Sequence, residues 1–394
     1  NTHNQWSVWE LENAKSLATQ AAHKLNELPI WDEIKLEATD PDNYISGLAT
    51  NHYELYEHDF DIVAKMNMTI FRFSIEWSRI EPEEGSWNVE AIEHYRQYLQ
   101  ALQKRKIEPM VTLMHWTLPV WFTQKGGFEK RSNIKYFVRF AKKVLDELGQ
   151  DFRYVCVLNE PEAYTGEGYI ENHWPPGKSN RLLAFWVYMN LAAAHRQVYR
   201  VAKKTSRRFY VGLSKDVAHH QGDDDKILTR LSVRLNMYIT DYLFLGRVRR
   251  QLDWLGLNFY FSYRYKGFER VGHDDIPIND LGWEMRPQDM QYVLERLHKK
   301  YKKPLIVTES GVADRGDKYR KWWITHSIIA IHRAIQKGVV VEGYIHWSLL
   351  DNFEWAYGKW PHFGLFKVDY KTFKRTARPS ALWFARIIKE LRGL

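Results

Sequence analysis

Tyr154-Val155-Cys156-Val157-Leu158-Asn159-Glu160-Pro161 is a run of β-favouring residues that stops on a carboxylate and a proline. Apolar and β-branched side chains suit a buried strand, and proline suits the first turn of a helix, so Glu160 falls where a strand hands over to its following loop. Leu305-Ile306-Val307-Thr308-Glu309-Ser310-Gly311 repeats the pattern with Glu309 at the end. Either motif alone is weak. Their order, and a third cluster from Trp347 to Phe363, make a chance combination improbable.

Further apolar runs extend this reading in both directions. Strands are predicted at 69–75, 109–114, 154–158, 209–213, 254–258, 305–307 and 342–347, and amphipathic helices at 89–104, 134–148, 182–204, 287–300 and 319–337. Strands alternating with helices imply a parallel sheet. So many units without a composition break favour one α/β domain over residues 1–394, a (β/α)8 TIM-type barrel. The alternative, an open doubly wound sheet, lacks a Gly-rich phosphate loop after any strand. Seven strands are visible where such a barrel needs eight, and residues 1–50 contain no strand-like run. Either the first strand lies upstream of Asn1 or the barrel closes incompletely, in which case something must cover the gap.

The composition is that of an ordered protein, 45% hydrophobic and 27% charged. The net charge of +9 comes from basic residues spread over helix-like stretches, without the aromatic-interleaved basic motif that nucleic-acid binding would need. Cys156, the one cysteine, excludes an intrachain disulfide and reads as a buried thiol. No 18-residue apolar stretch or export signal is visible, so a soluble, cytoplasmic protein is expected. Seventeen tryptophans are many. Most fill a core, but flat indoles also suit the apolar faces of sugar rings.

Catalytic groups of a parallel barrel sit at the C-terminal ends of its strands, where Glu160 and Glu309 fall. Two carboxyls across one mouth are what glycosidic-bond hydrolysis requires: one protonates the leaving oxygen, and the other attacks the anomeric carbon or activates water. The competing readings are a surface-loop carboxylate for Glu309 and a helix-start residue for Glu160.

Six segments then resemble family 1 glycoside hydrolases in order and spacing: Phe71 to Ile80, Met114 to Trp121, Leu158 to Pro161, Gly256 to Tyr260, Thr308 to Gly311 and Trp347 to Trp355. The resemblance covers nearly the whole chain. It implies a retaining β-glycosidase working by double displacement through a covalent glycosyl-enzyme intermediate, with Glu160 as acid/base, Glu309 as nucleophile, and Arg72 and Tyr260 as supports of the nucleophile. It further implies sugar contacts from His115, Trp116, Asn159, Asn258, Trp347, Glu354, Trp355 and Phe363. Relatives acting on phosphorylated sugars lack the glutamate matched by Glu354, so plain β-glucosides or β-galactosides are the expected substrates. No cofactor or metal is implied. The family's first strand, with a glutamine that binds the sugar, has no match here, and Gln5 is not its equivalent. His362 stands where many relatives carry arginine, and the region between Val217 and Asp253 is short for the family.

The rival readings are a non-catalytic sugar-binding relative and a transglycosylase using the same residues. His219-His220 with Asp223-Asp224-Asp225, and His273-Asp274-Asp275, lack a spacing tied to metal geometry and read as solvated loop charge. An exposed strand edge would favour a homo-oligomer; neither a membrane nor nucleic acid is expected as a partner.

Overall fold

The computed structural model describes residues 3–272 and 275–393; His273 and Asp274, part of the second set of His/Asp candidates, lie outside the described residues. Seven parallel strands are hydrogen-bonded in chain order: β1 Ile70–Ser74, β2 Glu108–Thr112, β3 Tyr154–Asn159, β4 Tyr210–Asp216, β5 Leu255–Asn258, β6 Leu305–Ser310 and β7 Val341–His346. Each answers a strand predicted from sequence. β6 runs on through Glu309 and Ser310, which are buried and held in the sheet, so its carboxylate lies within the strand and not in the loop.

Helices Val89–Lys104 and Ile134–Leu148 begin and end where the apolar spacing places them. The second buries Ile134, Phe137, Phe140, Ala141, Val144, Leu145 and Leu148, one stripe at helical period, and Phe140 stacks on Trp77 with ring centroids 5.1 Å apart. Asn88 and Asn180 cap Val89–Lys104 and Arg181–Thr205, their side-chain oxygens accepting from backbone N–H groups at 3.0 Å. The predicted helix at 287–300 divides into a 3-10 turn, Pro287–Asp289, and the α-helix Met290–Tyr301.

The barrel floor is plugged by Met110, Cys156, Trp254 and Ile306. Gly212 makes room for the plug: a Cβ there would stand 2.4 Å from the Trp254 indole. The indole N–H donates to the Tyr210 carbonyl at 2.9 Å, so this buried donor is satisfied.

β1 and β7 are not paired with each other. Between them lies a cavity of about 540 Å3, lined by both strands and, on its outer side, by residues of His52–Lys65, Arg320–Gln336 and Pro379–Leu391. The two strand edges thus face one another inside a ring of helices instead of turning outward as an open edge. Three lining residues carry buried polar atoms without a hydrogen-bond partner among the described residues: Arg72 Nε, Thr112 Oγ1 and His346 Nε2. Residues 1–50, read as strandless, carry the helices Gln5–Lys24 and Trp31–Ala38. Gln5 brackets the loop after β2, its amide donating to the Trp116 carbonyl at 2.8 Å and accepting from Leu118 N at 2.5 Å.

The segment after β7 is tied down by a buried cluster around Asp351, which accepts from both terminal nitrogens of Arg378 at 2.9 Å and from Gly364 N at 3.0 Å, with His362 Nδ1 2.8 Å away. That is the place of His362 in the fold. Burial opposes the charge of Asp351, but the bonds from His362 and Arg378 outweigh it and hold the carboxyl at about 2. A folded-state value below the unfolded one stabilises the protein above about pH 4, and this stabilisation, on the order of 2 kcal/mol, is lost as pH falls toward about 2. Asp351→Asn, which strands a buried guanidinium, should cost about 3–5 kcal/mol at neutral pH. Thermal melts of the two proteins should converge as the solution is acidified.

Candidate active site

The strand ladders slip register at the same end that carries the predicted residues: between Cys156 and Asn159 on β3, between Leu257 and Asn258 on β5, and between Tyr344 and His346 on β7. Such irregularities re-aim side chains that a regular pleat would send alternately inward and outward. Backbone strain gathers there too. Glu160, Trp116 and Trp355 have φ values of +38°, +71° and +51°, a region costly for residues with a Cβ.

Glu309 is gripped from two sides. Arg72 on β1 donates from NH1 to Oε1 at 2.5 Å, and the Tyr260 hydroxyl, just past β5, donates to Oε2 at 2.9 Å. Burial pushes the Tyr260 phenol well up, and the charge of Glu309 adds to this, so Tyr260 remains a donor. Arg72 also reaches Asn159 Oδ1 through NH2 at 2.6 Å, fixing the acceptor end of that amide.

Glu160 is in the opposite condition. No cation pairs with it among the described residues; Asn258 Nδ2 donates to its Oε1 at 2.5 Å, and Thr308 holds the Asn258 amide by donating to Oδ1 at 2.7 Å. Burial raises the Glu160 carboxyl well above the carboxylate range, and the charges of Glu309, Asp216 and Glu162 raise it further. Asn258 is the register partner of Glu309 while bonding Glu160, so one residue sets the spacing of both carboxyls.

Around this pair lies an aromatic cup. His115 stands 5.8 Å from the Trp355 ring and 6.1 Å from Trp347, in near-parallel planes. Burial, followed by the charge of Arg72, pushes His115 well below its ordinary value, so the ring is neutral and Nε2 accepts from Asn159 Nδ2 at 3.2 Å. Glu354 is oriented by Asn352 Nδ2 at 2.7 Å; burial raises it to about 7, with Asn352 opposing and Glu309 adding.

Most of the sequence matches known proteins. It fits the profile "Glycosyl hydrolase family 1" over residues 23–251 and 240–392. The chain belongs to glycosyl hydrolase family 1. It is 28% identical to Beta-glucosidase A of Thermotoga maritima over 410 residues, 92% of each chain. It is 28% identical to a Beta-galactosidase of Saccharolobus solfataricus, covering 88% of this chain and 87% of that one. The structure superposes on a beta-glycosidase from Pyrococcus horikoshii with TM-score 0.85 and 30% identity, covering 100% of this chain and 93% of the other. The seven strands and their helices are accordingly a family 1 barrel of (β/α)8 type, open between β1 and β7.

Within that family 1 framework, two predicted sugar-binding residues have prior commitments. The Trp116 indole N–H donates to the carbonyls of Asn159 and Glu160 at 3.1 and 3.3 Å, bracing the end of β3. Phe363 is 1% exposed and packs beside Tyr260 and Trp283, backing the wall of the site. Sequence reasoning gave no role to Thr308 and Asn352, although both stand inside the quoted motifs. It also missed Trp6 and Trp174, whose rings lie 4.6 and 6.1 Å from Trp355 and come from remote segments. Another group passed over is Lys215, fully buried, with Nζ 2.7 Å from Glu162 Oε1, which also accepts from Asp216 N at 2.6 Å. Burial and the Glu162 charge raise Asp216 to about 7.

His220, one of the set-aside metal candidates, is engaged by Tyr265 OH at 3.0 Å and Thr240 Oγ1 at 3.2 Å. No group of three potential ligands gathers among the described residues. No helix among them is long and apolar enough to cross a membrane.

Gly311 links Glu309 to the cup. A Cβ at this position would stand 1.8 Å from the Trp347 carbonyl oxygen. Gly311→Ala should therefore push Trp347 aside, destabilising the fold by about 1–3 kcal/mol and weakening sugar binding. Thermal melts and KM for an aryl glucoside would show both effects.

Proposed function

We propose that this chain, acting as one catalytic unit in the cytoplasm, hydrolyses non-phosphorylated β-glucosides or β-galactosides with retention of configuration. Glu309 attacks the anomeric carbon while Glu160 gives its proton to the departing glycosidic oxygen, leaving a glycosyl ester on Glu309. Glu160, now a carboxylate, takes a proton from the water that opens the ester. The observation that carries this reading is the divided environment of the two carboxyls: Glu309 is bonded by Arg72 and Tyr260, whereas Glu160 is buried with no cation beside it among the described residues. Asn159, Asn258, His115, Trp116, Trp347, Glu354 and Trp355 form the sugar subsite in this proposal, with Phe363 behind them. A 6-phosphate near Glu354 would meet a carboxyl, which favours the unmodified sugar.

Hydrolysis of a panel of aryl β-glucosides and β-galactosides, plain and 6-phosphorylated, tests the proposal; turnover confined to the phosphorylated members would overturn its substrate class. A second reading, sugar binding without turnover, draws on one observation: Arg72 sits on the unpaired edge of the sheet, and its Nε is unpartnered. Calorimetric binding of glucose without hydrolysis of any panel member would favour it.

The charge of Glu309 is one of the causes that raise Glu160, so forming the ester should lower the Glu160 pKa and suit it to act as a base. Carbon-13 NMR titration of Glu160 in free and fluoroglycosyl enzyme should show a lower value in the latter. An equal or higher value would contradict the charge coupling.

A further inference from the structure

β4 carries a lysine where its neighbours on the same face are apolar. Val211, Leu213 and Val217 alternate along the strand and belong to one core with Leu191 and Val198 of the helix Arg181–Thr205. By the same alternation Lys215 lies on that helix-covered face, and its side chain is 0% exposed. Such a face is ordinarily apolar, because a buried charge loses its hydration, and a residue without charge would pack there as well or better. The reason for the lysine therefore lies in what it holds.

It holds the turn that displays Glu160. Lys215 Nζ lies 2.7 Å from Glu162 Oε1 and donates to the Asp216 carbonyl at 2.9 Å. The same Oε1 accepts from Asp216 N at 2.6 Å. Two residues earlier, Glu160 N donates to the Ser214 carbonyl at 2.9 Å. Residues 160 and 162 are thus stapled to 214 and 216, and Glu160, at φ +38°, is held from before and after. A residue with a Cβ persists in that region only where its surroundings over-determine it. Glu160 is also the N-cap residue of the helix Pro161–Tyr169, yet its side chain makes no capping bond, so the aim of its carboxyl rests on this clamp and on Asn258. Asp216 is the register partner of Asn258, so the clamp is tied to that support as well.

We propose that Lys215 and Glu162 are positioning residues for proton transfer: their buried bridge locks the turn at Glu160 to the end of β4 and so aims the acid at the departing glycosidic oxygen. The proposal rests on the hydrolytic reading above, in which Glu160 is the acid/base.

Lys215→Met combined with Glu162→Leu breaks the clamp while leaving neither charge stranded. The expected result is a selective loss. For an alkyl β-glucoside, whose leaving oxygen needs a well-aimed proton, kcat/KM should fall at least about tenfold. For a dinitrophenyl glucoside it should stay within about threefold of the parent. Glu162→Gln keeps an oxygen that accepts from Lys215 and Asp216, and it should restore alkyl-glucoside turnover to within about threefold of the parent. Circular dichroism checks folding; if the double variant does not fold, Glu162→Ala makes the same comparison, since the Glu162 side chain is 18% exposed and water can fill its place.

Carbon-13 titration of Glu160 separates failure of the clamp from failure of the hydrolytic reading. The titratable groups acting on Glu160 are Glu309 on β6, Asp216 on β4 and Glu162 on its own helix, and Tyr260 past β5 faces it too. A carboxyl released from its buried place should titrate lower in the double variant than in Glu162→Gln, which lacks the same negative charge. Loss of the lysine cation by itself would act in the opposite direction, so a downward shift marks release. A parent that hydrolyses neither glucoside would refute the hydrolytic reading and leave this titration to decide the clamp. Equal loss on both substrates, or a folded double variant with parent kinetics and the Glu160 value of Glu162→Gln, would overturn the proposal.

Discussion

Glu309→Ala should lower hydrolysis of an aryl β-glucoside by three decades or more, equivalent to about 4 kcal/mol of transition-state stabilisation. The size follows from what the residue does in the proposed reaction. Without a carboxylate there is no atom to bond the anomeric carbon, and Arg72 and Tyr260 are left pointing their donors at empty space. Binding should change much less, because the His115, Trp347 and Trp355 side of the cup is untouched. The expected signature is therefore a collapse of kcat with KM within about tenfold of the parent. Steady-state kinetics on the purified variant, with circular dichroism to confirm folding, would check it.

Glu160→Gln should divide substrates by leaving group. An alkyl glucoside needs its oxygen protonated as the bond breaks, and losing that proton donor should cost about two to four decades. A dinitrophenyl glucoside leaves without help, so its glycosylation step should change by no more than about tenfold. The pH profile carries a second signature. In the parent, the form that donates is lost as pH rises through the raised Glu160 value, which sets an alkaline limb on kcat/KM. With glutamine in place this limb should vanish. Equal loss on both substrates would mean that Glu160 shapes the site without transferring a proton.

Much of the fold was legible because its strands are short apolar runs and its helices keep a strict apolar period. Ile134–Leu148, with seven buried residues on one stripe, could be bounded from sequence alone. The helix Ile227–Met237 was not read although its apolar residues keep helical spacing, and the structure turns that side outward, which periodicity does not specify. The two glutamates were legible because strand ends and carboxylate chemistry coincide, whereas Arg72 and Tyr260, which the structure places on Glu309, were named only through the resemblance to family 1. The commitments of Trp116 were not. An indole beside a histidine looks like a sugar platform, and only the turn geometry at φ +71° shows its N–H directed at the backbone of β3. Trp6 and Trp174 reach Trp355 from segments far away in sequence, a tertiary fact without a local signal. The Lys215, Glu162 and Asp216 group was hidden for the same reason, since its members come from β4 and the helix Pro161–Tyr169 after β3.

The open edge between β1 and β7 bears on the reaction through Arg72, which lies on β1 and holds Glu309. If seven strands keep Arg72 in place, the ester on Glu309 must form. Incubation with a 2-deoxy-2-fluoro-β-glucoside bearing a good leaving group, followed by peptide mass spectrometry, asks this directly. The account predicts one fluoroglycosyl group per chain, on the peptide containing Glu309. An unlabelled protein, or a label on another carboxylate, would contradict it.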